Sequence, residues 1–210
     1  MKNSFFLIDG FNVYHHLLKL FPRKKHVYFD ILPFLQQFFK ERILPHHIFF
    51  FTAYTVWDKE KEARHKEYVK FLRNKGIQIV QGRFKKVTRN FQKNNMQVLF
   101  PEGFLPDENF PPKIVFENHE EKETDVNIAV KMLECAFLKG AEKIFLLSGD
   151  SDLVPAVQSV KKEKKEIFIT NISTTAKEKY SKLSEVCDAR KELLKDELEP
   201  FLFEFFEGEK

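Results

Sequence analysis

Five short, nearly continuous apolar runs punctuate the chain: Phe5-Phe6-Leu7-Ile8, His47 to Thr52, Ile77 to Val80, Ile144 to Leu147 and Glu166 to Thr170. Runs of that length without strict alternation predict strands buried on both faces. Between them the period lengthens. Val13 to Leu20, Phe29 to Arg42, Trp57 to Asn74, Val126 to Phe137 and Leu153 to Lys162 carry apolar residues at helical spacing, with Pro33 and Pro155 tolerated near helix starts. Stop signals agree, with Asn74-Lys75-Gly76 and Gly140 closing two of these helices and Thr124 standing where an N-cap is expected. Strand and helix in alternation predict an α/β fold: a mostly parallel sheet, right-handed crossovers, and helices on both faces.

Two regions break the alternation. Arg83 to Arg89 and Met96 to Phe100 read as strands joined through Lys93-Asn94-Asn95, Pro101 to Pro112 as irregular loop, and order resumes at Lys113 to Phe116. From Thr175 onward the tail reads as helical, with Asp188 to Phe206 an amphipathic segment interrupted by Pro200. The expected organisation is one domain over 1–172 with a β-hairpin and loop insertion at about 84–116. A helical C-terminal extension over 173–210 is expected to pack on it, its Phe-rich end included.

Composition changes this picture little. The 210 residues suit one α/β domain, and the 25 phenylalanines are what a core absorbs. With 35 Lys and Arg against 31 Asp and Glu, net charge permits a polyanionic partner without pointing to one. Cys135 and Cys187 are far apart and match no metal-ligand spacing, so a reducing cytoplasmic setting is expected. The first apolar run is too short for a secretory signal, and no run has the length to span a bilayer, so no membrane association is expected. A homodimer is compatible with the sequence but not implied by it.

The chemistry-bearing residues gather at predicted element ends. The Ile144 strand stops at Ser148-Gly149 and is followed by Asp150 and Asp152, while the first strand ends at Asp9-Gly10-Phe11-Asn12. Asp125 falls in the first turn of a helix, whose dipole favours its ionised form. Open α/β sheets bind ligands outside the carboxyl ends of their strands, so these acids converge if the two strands are neighbours. Clustered carboxylates repel and raise one another's pKa unless a cation lies among them. An all-oxygen set suits Mg²⁺ or Mn²⁺, whereas zinc would want His or Cys. Such a site fits attack of metal-activated water on a phosphodiester. Blander readings stand beside this one: Asp152 as a helix cap, Asp150 as a turn residue, and Asn12 either orienting water or substrate or capping the helix from Val13. A dinucleotide site is disfavoured because only Gly10 follows the first strand, and no Walker lysine loop occurs.

Four segments carry a resemblance: FFLIDGFNVYH, QGRFKKV, EEKETDVNIAVKML and FLLSGDSDLVPAVQSVKK. Together, in this order over roughly Lys2 to Thr170, they resemble the NYN domain, in the LabA-like branch of the PIN-like nucleases. The resemblance implies a Rossmann-like PIN fold and metal-dependent cleavage of RNA. It carries the family's acidic set onto Asp9, Asp125, Asp150 and Asp152, as metal-holding and catalytic residues, with Asn12 accompanying them. The segment from Thr88 to Pro112 and the tail match no family pattern.

Arg83, Lys85, Lys86, Arg89 and Lys93, with Phe84 and Phe91 interleaved, are the candidate RNA-binding set, since cations neutralise phosphates and aromatic faces stack on unpaired bases. The competing reading is a solvated edge strand protected by lysines. His15, His16, His46 and His47 read as structural, because adjacent side chains diverge, and Cys135 reads as packing. Single-stranded or structured RNA is the expected partner and metal-dependent ribonuclease the expected activity. The alternatives are a non-catalytic RNA-binding or regulatory module of the same fold and, weakly, a haloacid dehalogenase-type phosphohydrolase. That enzyme needs a second Asp where this chain has Phe11.

Overall fold

The computed structural model describes residues 3–24, 27–92, 113–173 and 182–204. In chain order, β1 (Ser4–Asp9) runs into α1 (Gly10–Leu20), the short β2 (Tyr28–Phe29), α2 (Ile31–Phe38), β3 (Ile48–Thr52), α3 (Lys59–Asn74) and β4 (Gln78–Gln81). A hairpin of β5 (Arg83–Gln92) and β6 (Lys113–Lys122) interrupts the alternation, and α4 (Thr124–Phe137), β7 (Lys143–Leu147), α5 (Val154–Lys162) and β8 (Glu166–Ile172) resume it. The chain then forms α6 (Lys182–Val186), β9 (Ala189–Leu193), α7 (Lys195–Leu198) and β10 (Leu202–Phe203). The central sheet has six strands in the order β4-β3-β1-β7-β8-β9, parallel throughout. This is the α/β architecture that the alternation predicts, and it is consistent with the Rossmann-like, PIN-like fold that the resemblance implies.

The apolar runs are continuous because both faces of the sheet are covered. From β1, Phe6 and Ile8 enter a core with Val13, Leu17, Phe34 and Leu72. Phe5 and Leu7 enter the opposite core with Ile128, Met132 and Val157. Each such side chain, fully buried, contributes about 1.5–3 kcal/mol of transfer free energy. Register is pinned across the middle of the sheet, where Phe6 pairs with Phe145 and Phe145 with Phe168, each ring stacked on the next at 4.8 Å. Because Ile8 pairs with Leu147, Asp9 and Ser148 emerge side by side at the same edge.

Several expectations are corrected. The second helix spans Ile31–Phe38 only, since Phe29 is drawn into β2 and paired with Leu202 of β10. The strand from Arg83 extends to Gln92 and pairs with β6, which reaches Lys122; the expected strand 96–100, the turn 93–95 and the loop 101–112 lie outside the described residues. Thr124 is not a cap: the cap position is Glu123, in the left-handed region at φ 79°, and Thr124 is the first helical residue. The helix at the N-terminus starts at Gly10 instead of Val13, so its cap is Asp9 and not Asn12. In the tail, helical turns do occur, but 188–204 is not one amphipathic helix. Ala189–Leu193 adds the sixth strand to the sheet, and Leu202–Phe203 pairs with β2. Phe201 packs among Phe29, Phe34 and Phe38 of its own domain.

Candidate functional site

A parallel sheet puts all its strand ends on one edge, and β1 ends on its only acid. Asp9 is 4% exposed. Its Oδ1 accepts the Asn12 backbone N–H at 3.0 Å, capping α1, and its Oδ2 accepts the Ser148 hydroxyl at 2.8 Å. Burial raises its pKa above the ordinary carboxylate value; the two hydrogen bonds oppose that, and the charge of Asp150 adds to it. Gly10 is required where α1 turns away, since a Cβ there would meet the Phe50 ring at 2.5 Å and the Phe51 carbonyl at 2.6 Å.

The Ser148 hydroxyl also accepts the backbone N–H of Asp150 at 3.1 Å, tying the end of β7 to Asp9. Asp150 in turn accepts the N–H of Asp152 at 2.9 Å and so caps the 3-10 turn of Ser151–Leu153 that leads into α5. The cap is therefore Asp150, and Asp152 lies exposed inside the turn. A Cβ on Gly149 would stand 3.7 Å from Asn171 Oδ1 and 3.8 Å from Asn12 Nδ2, so both amide side chains border this turn.

Asp125, in the first turn of α4, has its carboxyl pushed up to about 6, first by loss of solvation and then by the charges of Asp150, Asp9 and Asp152. A fifth acid joins them that the sequence did not single out. Glu121 on β6 is pushed up to about 7 by burial and by the charges of Asp9 and Asp125. Its Oε1 is buried without a hydrogen-bond partner among the described residues. The hairpin reaches this crevice because Gly82, at its base, lets the chain pass close to Lys122 and Thr124; a Cβ there would lie 2.9 and 2.7 Å from their oxygens. Ser148 and Asn171 were within reach of sequence reasoning, since the first belongs to the SGDSD turn and the second follows the last apolar run. Glu121 carries no such signal, because Glu120 beside it is the same residue type.

The acids Asp9, Glu121, Asp125, Asp150 and Asp152 thus form one electrostatically linked group. Its donors fit a hard divalent cation in kind, being all oxygen and including a buried carboxylate oxygen that lacks a partner. Among the described residues, no three His, Cys, Asp or Glu side chains stand grouped at metal-ligand spacing.

The basic residues of β5 lie on the hairpin beside this crevice, and most are already paired. Arg83 contacts Glu123 at 2.6 Å and Lys86 contacts Glu117 at 2.7 Å, while Arg89 pairs with Glu120. Lys85 is exposed on the same strand, and Lys93 lies outside the described residues. Aromatic rings continue from the crevice to the hairpin: Phe11 meets Phe84 at 5.4 Å, Phe84 meets Trp57 at 4.7 Å, and Trp57 stacks on His119 at 3.8 Å. Trp57 is 45% exposed, an available face for stacking.

Other candidate chemistry dissolves into structure. His16 Nδ1 bonds the Asn12 carbonyl at 2.7 Å and His47 Nδ1 bonds the Ser4 carbonyl at 3.2 Å, with the His47 ring stacked on Phe5. Cys135 is fully buried, and burial pushes its thiol up to about 11. Among the described residues no helix is long and apolar enough to cross a membrane.

No curated protein matches this chain. The NYN domain family model, in contrast, matches residues 5–193, a span that runs from β1 through β9 and takes in every acid described above. With its six parallel strands and acid-bearing strand ends, the chain belongs to the NYN domain family, part of the PIN-like nuclease superfamily, and has the nucleic-acid-associated, nuclease-type fold of that group.

Proposed function

We propose that this protein is a divalent-metal-dependent ribonuclease of the LabA-like kind that cleaves phosphodiester bonds in single-stranded RNA. The observation that carries the reading is the convergence of Asp9, Asp125 and Asp150 with Glu121 at the carboxyl ends of β1 and β7, where burial first and neighbouring negative charge second raise Asp9, Glu121 and Asp125. Mg²⁺ or Mn²⁺ would be held by Asp9, Asp125 and Asp150 directly or through water, with Asp152 at the margin. When bound, such an ion lowers the pKa of its water and steadies charge on phosphate oxygens. The chain's own residues do the rest. Ser148 and the Asn12 N–H fix the orientation of Asp9. The Asn12 and Asn171 amides flank the turn where a phosphate would lie. Glu121, titrating near neutrality, is suited to exchange a proton with water or leaving group. Arg83, Lys86 and Arg89 guide the strand by exchanging glutamate partners for phosphates, the exposed Lys85 adds a further cation, and Phe84 and Trp57 offer stacking faces.

Cleavage of a 5′-labelled unstructured RNA with Mn²⁺ or Mg²⁺, in wild type and Asp9→Asn, tests the reading. Unchanged cleavage in the variant would end the assignment. A non-catalytic RNA-binding module is favoured by one observation, that no three acids stand at ligand spacing among the described residues. RNA retention without cleavage across divalent metals would establish that alternative.

A further inference from the structure

We propose that the cavity between α1, the end of β3 and α3 is a subsite for an unpaired nucleobase of the RNA, adjoining the acidic crevice; the substrate class rests on the ribonuclease reading. The cavity has a volume of about 320 Å³, within the range of small-ligand sites. Its walls are largely aromatic, with Phe11, Tyr14, Tyr28 and Tyr68 among them. A core packed for stability alone closes such a space, since the lining atoms forfeit contacts. Flat rings around a void suit a planar heterocycle, which stacks on any of them whatever its sequence.

The polar groups suit the edge of a base. Thr55 lines the cavity, and its hydroxyl is buried with no partner among the described residues. An unsatisfied buried hydroxyl is costly, and a ligand's carbonyl or amino group would relieve that cost. His65 lines the same wall, with Nε2 2.8 Å from Thr52 Oγ1, and burial keeps its ring neutral. The wall therefore offers hydrogen bonds without a charge.

Cations border the same space. Lys24, Lys61 and Arg64 all line it, and each is held by an acid only loosely: Glu199 at 3.3 Å, Asp58 at 3.5 Å and Glu60 at 3.6 Å. Exposed pairs of this kind are worth little, so a phosphate can displace the carboxylates. An aromatic chamber with an unused hydroxyl and displaceable cations is matched by one ligand class, a nucleotide. Continuity with the crevice says which nucleotide. Gly10 and Phe11 line the cavity and directly follow Asp9, and the Phe11 ring also meets Phe84 of the hairpin. The base that enters is therefore a neighbour of the phosphate lying at the acids, and seating it sets which bond is presented.

The test uses the full chain in EDTA, titrated with AMP, GMP, CMP and UMP by NMR or calorimetry, so that metal and turnover play no part. Expected is saturable binding of at least one nucleotide, shifting signals of Tyr14 and Tyr28. Leu18→Trp, at a cavity-lining position that is already 40% exposed, obstructs the space without disturbing the core and should weaken binding roughly tenfold or more. Thr55→Val, nearly isosteric, should weaken it about threefold or more by removing the hydroxyl. Glu163→Gln, at the exposed end of α5 and away from the cavity and the acids, should leave it intact. Absence of binding by every nucleotide, or binding that both cavity variants leave unchanged, overturns the subsite. Nucleotide binding lost in Leu18→Trp, in a protein that cleaves no RNA with any divalent metal, upholds the subsite while the ribonuclease reading fails. Cleavage with no cavity-dependent binding does the reverse.

Discussion

Two neighbouring glutamates on β6, Glu120 and Glu121, have opposite electrostatic fates. Glu120 pairs with Lys122 and Arg89, and those hydrogen bonds hold its carboxyl below the ordinary value. Glu121, one residue on, is pushed up to about 7 by burial and by the charges of Asp9 and Asp125. Residue type and sequence neighbourhood are the same. Strand alternation turns one side chain to the hairpin's cations and the other to the crevice's acids. The whole molecule repeats the contrast: Glu117, Glu120 and Glu123 have basic partners, whereas the crevice acids have chiefly one another. Paired surface charge is structure, and the proposed metal site rests on the charge that is gathered without such partners.

The sharpest way to break this contrast is to remove charge on each side. If Asp9 holds the metal as proposed, Asp9→Asn should cut RNA cleavage by roughly 100-fold or more. Asparagine caps a helix as well as aspartate does, so α1 should persist, checked by circular dichroism. Glu117→Gln should leave cleavage within about twofold.

Next in size is the response to metal. Saturating Mn²⁺ should stabilise the fold by about 2–3 kcal/mol at pH 8, and clearly less at pH 5, where Glu121 and Asp125 hold protons. The melting temperature in each buffer, with and without the ion, checks this. An equal shift at both values would mean that the acids do not bind it.

Smaller again is the metal-free pH effect. Glu121 titrates near 7 in the fold against an ordinary 4.5, and Asp125 near 6 against 3.8. Between those values the folded chain keeps protons that the unfolded chain has lost, so stability falls as pH rises from about 4 through 7. Glu121→Gln removes part of that slope. Without metal it should be more stable than wild type at pH 8, by on the order of 1–2 kcal/mol after solvent screening, and nearly equal at pH 4. Urea melts across the range measure it. The smallest effect is expected at Glu120→Gln, which loses surface pairs with Arg89 and Lys122 and should leave the urea midpoint close to that of wild type.

Much of this architecture was legible from pattern. The run Phe5 to Ile8 and the run Ile144 to Leu147 are apolar on both faces because helices cover both faces, and each ends on the acids it carries to the edge. Less visible was β9, whose sequence Ala-Arg-Lys-Glu-Leu has no apolar run; as a sheet-edge strand it is held by backbone bonding to β8, which leaves little trace in residue type. Glu121 was hidden for a related reason. It lies on a hairpin strand rich in acids, and its sequence neighbours do not distinguish it from Glu120.

From residue order alone came the alternation of strand and helix, the buried sheet, and the identity of Asp9, Asp125, Asp150 and Asp152 as acids at element ends, since periodicity and punctuation are local properties. Folding decided the company each charge keeps: that Ser148 reaches Asp9, that Glu121 joins the acids while Glu120 meets Arg89, and that rings from α1, β2 and α3 enclose a chamber beside them. Solvation and charge coupling depend on distances between residues remote in the chain, and only the packed structure sets those distances.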